Sequence, residues 1–206
     1  MKERELEFLD LVKARQSVWK YSQKSIEKDK LERCLEAARL APSASNSQPW
    51  KFIVIDDPDL KDRVAKQTYS AAVSFNKFAH QSPVIVAIVL EKPKVITQIG
   101  MAIKKREWPL IDIGIAAEHF CLQAAKEGLG TCMLGWYNAE PIKEMLGIPR
   151  KKMLALLITV GYPAEGYPLR SKIRKEMGQF CSYNRYWDSW QLAVDGWQYP
   201  WMINFI

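Results

Sequence analysis

The seven residues Val84-Ile-Val-Ala-Ile-Val-Leu90 carry no polar side chain. A run of this length reads as a buried strand, and it falls far short of the roughly 20 apolar residues that a membrane-spanning helix needs. Such a strand needs cover, and periodicity supplies it. Leu31, Cys34, Leu35 and Ala38 recur at helical spacing in a helix that must end near Pro42. Lys51 to Asp56 reads as a strand, and Asp57-Pro58 as the cap and first position of the next helix. A further helix is predicted across 68–79. Leu110 to Glu127 is a long, largely apolar helix closed by Gly128. Thr131 to Trp136 follows as a strand, and Asn138 opens a short helix carrying Ile142, Met145 and Leu146 that stops at Gly147. Met153 to Val160 is the last core strand. Leu6, Leu9 and Val12 give an opening helix over 3–14, and the mixed stretch 91–108, with Pro93, reads as a loop holding a short helix. Helices and strands interleave irregularly, which predicts an α+β or α/β layered domain with a mixed sheet.

Composition removes several function classes. With 206 residues the chain suits one domain able to bury a real core. The opening Met1-Lys-Glu-Arg-Glu-Leu6 lacks the apolar stretch of a secretory signal, which points to the cytoplasm. Cys34, Cys121, Cys132 and Cys181 form no C-x-x-C pair, and three of them sit in apolar surroundings, as core thiols do. Only two histidines are present, so no metal site is expected. The net charge of +7 favours an anionic partner, but the basic residues are dispersed and the aromatics lack the spacing of an RNA-recognition module. No nucleic acid and no membrane are therefore expected as partners.

Three segments carry candidate chemistry. Arg15-Gln16-Ser17 offers a guanidinium fork, an amide and a hydroxyl, suited to a phosphate or the polar edge of a ring. Pro42-Ser43-Ala44-Ser45-Asn46-Ser47-Gln48-Pro49-Trp50 lies between a helix and a strand, with the Asn46 and Gln48 amides able to match a heterocycle of alternating carbonyl and N–H groups. The third is Gly128-Leu-Gly-Thr-Cys-Met133-Leu134-Gly135-Trp136. Gly128 and Gly130 do not make a dinucleotide fingerprint, because position 133 is methionine and the segment precedes a strand.

In this order the segments resemble the motifs of the nitroreductase family: its Arg-x-Ser, its Pro-Ser-x-x-Asn-x-Gln-Pro-Trp loop and its Gly-Leu-Gly-Thr strand. Gly161-Tyr162-Pro163 and the basic run Lys172-Ile-Arg174-Lys175 resemble its closing elements, so the likeness spans roughly residues 11 to 176. The resemblance implies a three-layer α/β sandwich of α+β class, with a mixed, mainly antiparallel sheet flanked by helices. It implies a homodimer with FMN in each of two interface clefts, the domain covering 1–176 and an aromatic tail 177–206 packing on the domain or on the partner. Carried over by position, Arg15, Gln16 and Ser17 hold phosphate, ribityl or pyrimidine groups. Lys172 and Arg174 hold the phosphate, with Arg170 as substitute. Pro42, Ser43, Ala44 and Asn46 come from the second subunit, and Gln48 and Met133 border the cofactor. The backbone N–H groups of Leu134 and Gly135 point at flavin N5 and O4, and Lys77 or Lys20 supplies a cation near N1. Trp19 and Gln16 stand where the family often has basic residues.

The same resemblance implies the activity. NADH or NADPH passes a hydride to flavin N5, and a nitroaromatic, quinone or similar small acceptor then takes its place in a ping-pong cycle that needs no catalytic side chain. Two other readings are a specialised flavoprotein of this fold, for reductive dehalogenation or flavin cleavage, and a flavin-binding or nucleic-acid-binding protein without catalysis that uses its positive charge. Trp187, Trp190, Trp197 and Trp201, with Tyr186 and Tyr199, make the tail a candidate wrap for its own subunit or for a partner.

Overall fold

The computed structural model describes residues 7–70, 74–104 and 106–186. The chain divides into two compact units, Met1–Leu169 and Arg170–Ile206. The first contains α1 (Phe8–Ala14), α2 (Lys28–Arg39), β1 (Trp50–Ile55), α3 (Pro58–Ala65), β2 (Val84–Leu90), α4 (Val95–Lys104), α5 (Trp108–Lys126), β3 (Gly130–Leu134), α6 (Ala139–Met145) and β4 (Leu154–Gly161). The second holds the single turn of helix α7, Met177–Phe180, and the exposed Cys181. The four tail tryptophans and Tyr199, together with Leu6, lie outside the described residues.

The sheet runs β1-β2-β4-β3 with every neighbouring pair antiparallel. Among the described residues the parallel element of the expected mixed sheet is one bridge, Ser17 to Thr131, where the Val18 N–H donates to the Thr131 carbonyl at 2.8 Å. That bridge also occupies the edge that β3 would otherwise leave open. β2 is buried on both faces because its side chains alternate between two cores. Val84, Val86 and Ile88 meet Cys34 and Ala38 of α2 and Ile113, Ala117, Phe120 and Cys121 of α5. Ile85, Ala87 and Val89 meet Val64 and Ala65 of α3 and Ile142 of α6. The result is the predicted three layers.

Local chemistry sets most of the element ends. The Asp57 carboxylate accepts from the Leu60 N–H at 2.7 Å, a cap of a kind worth about 1 kcal/mol. Gly128 and Gly147 adopt φ of +76° and +64° just beyond α5 and α6, where a side chain would be strained. Asn138 precedes α6 as expected, but its side chain makes no capping bond; its backbone N–H donates to the Gln67 carbonyl instead.

Two expectations need correction. No α-helix spans 68–79 among the described residues; short 3-10 turns occupy Lys66–Thr68 and Lys77–Gln81. The buried Thr68 hydroxyl donates to the Ala65 carbonyl at 2.8 Å, taking an acceptor that a continuing helix would use, and Tyr69 turns extended. Conversely, much of 91–108 is helical, since α4 runs ten residues. It starts two residues after Pro93, whose carbonyl accepts from the Gln98 amide at 2.7 Å.

Candidate functional site

Arg15 and Gln16 meet the glycine-rich turn before β3. Together with Val18, Gly128, Gly130 and Thr131 they line a cleft of about 160 Å³. The close approach depends on Gly130, because a Cβ there would lie 2.5 Å from Val18 Cγ2. The Gln16 amide is fixed by donating to the Pro168 carbonyl at 2.9 Å, and the Trp19 N–H donates to the Tyr167 hydroxyl at 3.0 Å. Arg15 is held against α5, with Nε 3.1 Å from Glu118 Oε1. That nitrogen is nevertheless buried without a hydrogen bond, so the Glu118 contact supplies charge but not alignment.

The orphaned guanidinium nitrogen tests the site's fit to an anionic cofactor, and the fit is favourable. A buried, unaligned arginine donor suits a phosphate or a polar ring edge. A cleft of this volume takes a phosphate or part of a polyol chain, not a three-ring heterocycle. At the other end of β3, Met133 packs against one core and Leu134 is buried in the other. Only their backbone is left for a ligand, whereas Gly135 is exposed with nothing within 4 Å of where a Cβ would stand. Lys77 is exposed at the start of its 3-10 turn. Its neighbour Asn76 is buried and donates to the Trp136 carbonyl at 3.1 Å, which brings Lys77 to the Gly135 end of β3. Arg170, Lys172 and Arg174 belong to the second unit, where Arg174 donates to the Ile173 carbonyl at 2.8 Å.

The loop Pro42–Gln48 does not join the Arg15 cleft within the subunit. It is anchored instead to α4 and to the first turns of α5. Three of its non-glycine residues, Ser45, Asn46 and Gln48, have φ near +50°, at 52°, 49° and 47°. Such strain persists only where the surroundings impose it. Both oxygens of the buried Asp112 carboxylate lie 3.2 Å from the Ala44 N–H. The Ser43 hydroxyl accepts from the Gln48 N–H at 2.9 Å, and the Gln48 amide donates to Asn46 Oδ1 at 2.7 Å. Burial raises the Asp112 pKa above the usual carboxylate value, and the Ala44 N–H opposes the shift. Asp112 and Glu118 were not among the sequence-derived candidates. A lone aspartate on the apolar face Leu110-Ile-Asp-Ile-Gly-Ile115 was the available signal.

The loop and α4 border a second, open crevice of about 500 Å³. Ala44 and Ser45 line one side, Ile96, Gly100 and Ile103 of α4 the other, and Trp108 closes the end. The buried Thr97 hydroxyl donates to the Ala44 carbonyl at 3.4 Å and ties the two walls together.

Among the described residues no group of three or more His, Cys, Asp or Glu could hold a metal ion, and no helix is long and apolar enough to cross a membrane. The family model described as "Nitroreductase family" matches residues 12–162. A nitroreductase family protein from Clostridium novyi NT is 34% identical, with a TM-score of 0.68 over 78% of this chain and 87% of its own. An FMN-dependent nitroreductase from Clostridium difficile R20291 is 26% identical, with a TM-score of 0.69 over 87% of this chain and 100% of its own. A relative in Archaeoglobus fulgidus, whose name joins NADH dehydrogenase and NAD(P)H nitroreductase, is 29% identical over 163 residues, covering 77% of this chain and 87% of the relative.

Proposed function

Because the chain belongs to the nitroreductase family, with the matched region covering residues 12–162, we propose that it is an FMN-dependent oxidoreductase that draws reducing equivalents from NADH or NADPH. The observation that carries this reading is the buried Arg15 nitrogen left without an aligned acceptor at the Gly128–Thr131 cleft. When bound, FMN supplies the redox chemistry, accepting a hydride and passing two electrons to a small acceptor such as a quinone or nitroaromatic.

The chain's own residues bind and orient. Arg15 offers charge and a fixed donor to the phosphate end, and Gln16 and Ser17 border the polyol. The peptide N–H groups of Leu134 and Gly135 face the reactive edge of the ring, with open space over Gly135 to admit it. Lys77 stands at the same end as a cation for charge that develops on reduction. Arg170, Lys172 and Arg174 are the further basic candidates for the phosphate.

The protein acts as a homodimer in which Pro42, Ser43, Ala44 and Asn46, with Gln48, border the partner subunit's flavin. An apolar face supports this assembly: Phe8 and Leu9 of α1 and Ile111 of α5 are 66%, 67% and 60% exposed in the single subunit. The cytoplasm suits such a nicotinamide-linked activity.

The test is purification of the full chain, its visible spectrum, its mass in solution and anaerobic reduction by each nicotinamide. A yellow dimer bleached by NADH or NADPH is expected. Arg15→Ala should bind FMN more weakly by roughly 1.5–3 kcal/mol, the range for a hydrogen bond to a charged group. A colourless protein that FMN does not reconstitute sinks the proposal, and a yellow one inert to both nicotinamides reduces it to flavin binding.

A further inference from the structure

We propose that the end of the sheet where β1 begins and β2 ends is a docking surface for a partner protein presenting a cluster of carboxylates. Lys51, Lys92, Lys94, Arg150 and Lys151 are the residues that meet it. The surface rests on charge and placement and does not depend on the oxidoreductase reading.

The five cations are far apart in the sequence, and strand pairing gathers them. Lys51 lies in β1 opposite Val89, Lys92 and Lys94 follow the end of β2, and Arg150 and Lys151 precede β4, whose Leu154 also pairs with Val89. β1 and β4 flank β2, so the three strand ends span about 10 Å, close to the Debye length at physiological salt. All five side chains are exposed, and among the described residues none of them is ion-paired. The carboxylates beside them are already engaged, Glu91 by Lys152 and Glu140 by Lys143. α2 has the opposite pattern: Lys28, Arg33 and Arg39 each meet a carboxylate on the same helix. Gathered and unpaired cations repel one another and return no stability to the fold, so this face is suited to an anion from outside.

Its backbone is fixed before any partner arrives. The Glu91 N–H donates to the Pro49 carbonyl at 3.1 Å and the Lys94 N–H to the Ser47 hydroxyl at 2.7 Å. The Lys152 N–H donates to the Pro149 carbonyl at 2.8 Å, and the buried Lys143 ammonium to the Arg150 carbonyl at 2.6 Å. Met153, 51% exposed, adds an adaptable apolar side chain next to the cations. A compact patch on fixed turns matches carboxylates clustered on a folded surface. A duplex offers a long track of phosphates, and a bilayer is gripped by a polybasic tail or an amphipathic helix. β3 ends on the same side, at Leu134 beside Gly135, so a docked partner shares the end of the sheet proposed for the flavin ring.

The experiment is calorimetric titration of the full chain, as purified and at low ionic strength, with poly-L-glutamate. A short DNA duplex and vesicles of phosphatidylcholine with phosphatidylserine are titrated beside it. Three proteins are compared: wild type, Lys92→Gln/Lys151→Gln, and Lys28→Gln/Arg39→Gln, which removes the same net charge from ion-paired positions on α2. Wild type is expected to bind poly-L-glutamate saturably and to release it as salt is raised. Lys92→Gln/Lys151→Gln should weaken that binding about fivefold or more with Tm unchanged, whereas Lys28→Gln/Arg39→Gln should stay within about twofold of wild type. No binding of poly-L-glutamate overturns the proposal. Equal losses in the two double variants overturn it too, because net charge alone then explains the attraction. Tighter binding of the duplex or the vesicles, lost in Lys92→Gln/Lys151→Gln, also overturns it, because the face then serves phosphates. A lower Tm in Lys92→Gln/Lys151→Gln refutes the claim that these cations give the fold nothing. A colourless protein with the expected binding refutes the flavoenzyme reading and leaves the docking surface standing.

Discussion

Replacing Asp112 with Ala removes the one side chain whose two oxygens meet the Ala44 N–H at 3.2 Å. A hydrogen bond to a charged acceptor is worth roughly 1.5–3 kcal/mol, and the relief of a buried carboxylate offsets part of its loss. The raised pKa shows that burial outweighs the bond for the ionised form. A net destabilisation of about 1–2 kcal/mol is expected, equivalent to a fall in Tm of roughly 2–8 °C for a chain of this size. Asp112→Asn keeps an acceptor oxygen and sheds the charge, so it should melt within about 1 °C of wild type or above it at neutral pH. The sign of the pH dependence follows from the same shift. A carboxyl whose folded pKa is raised stabilises fully below its unfolded pKa, and that contribution is lost as pH rises through the folded value. Wild type should therefore gain on Asp112→Asn as the pH is lowered from 7 towards 4. Calorimetric melting at three pH values measures both effects. Identical melting of the Ala and Asn variants refutes the claim that this bond holds the loop.

Other outcomes follow from geometry already described. Gly130→Ala places a Cβ 2.5 Å from Val18 Cγ2, so it should push residues 15–18 off β3, lower Tm and weaken FMN binding together; loss of one without the other contradicts the coupling. The Tyr162 hydroxyl donates to the exposed Glu27 carboxylate at 2.5 Å, which with Lys24 holds the Glu27 pKa down to about 2. That stabilisation is present above the unfolded pKa and lost as pH falls towards 2, so Glu27→Gln should flatten the acid limb of a stability–pH curve. Lys77→Met should lower the two-electron potential by about 30 mV if the cation contributes 1.4 kcal/mol, and an unchanged potential in a redox titration moves the cation elsewhere.

The strands and most of the long helices were legible because their signals are local. The uninterrupted run 84–90, the Asp57-Pro58 start and the glycines at 128 and 147 each state a backbone requirement within a few residues. The segment 68–79 was not legible. Its fate is decided by Thr68 bonding back to Ala65 and by Asn76 reaching Trp136, sixty residues away. Tertiary partners overruled local propensity there. The motif residues themselves were found, but their supports were not. Glu118 beneath Arg15 and Asp112 beneath Ala44 look like ordinary polar positions on an apolar helix until the loops they hold are in place. Arg15 and Gln16 do line the cleft at the Gly130 turn, with Ser17 bridged to Thr131 beside it, whereas the Pro42–Gln48 loop stands apart within one subunit.

The two supports share one helix, and that has a consequence for how this chain can change in length. Asp112 and Glu118 are six residues apart, about 9 Å along the axis and about 120° apart around it. Deleting or adding a single residue between them turns one by about 100° relative to the other and moves it by about 1.5 Å, so both loops cannot stay in register. The connection 91–94 ahead of α4 is tied at both ends as well, the Glu91 N–H donating to the Pro49 carbonyl at 3.1 Å and the Lys94 N–H to the Ser47 hydroxyl at 2.7 Å, so it too resists a change of length. Insertions and deletions compatible with an intact site are therefore expected outside these anchored stretches, and none between positions 112 and 118.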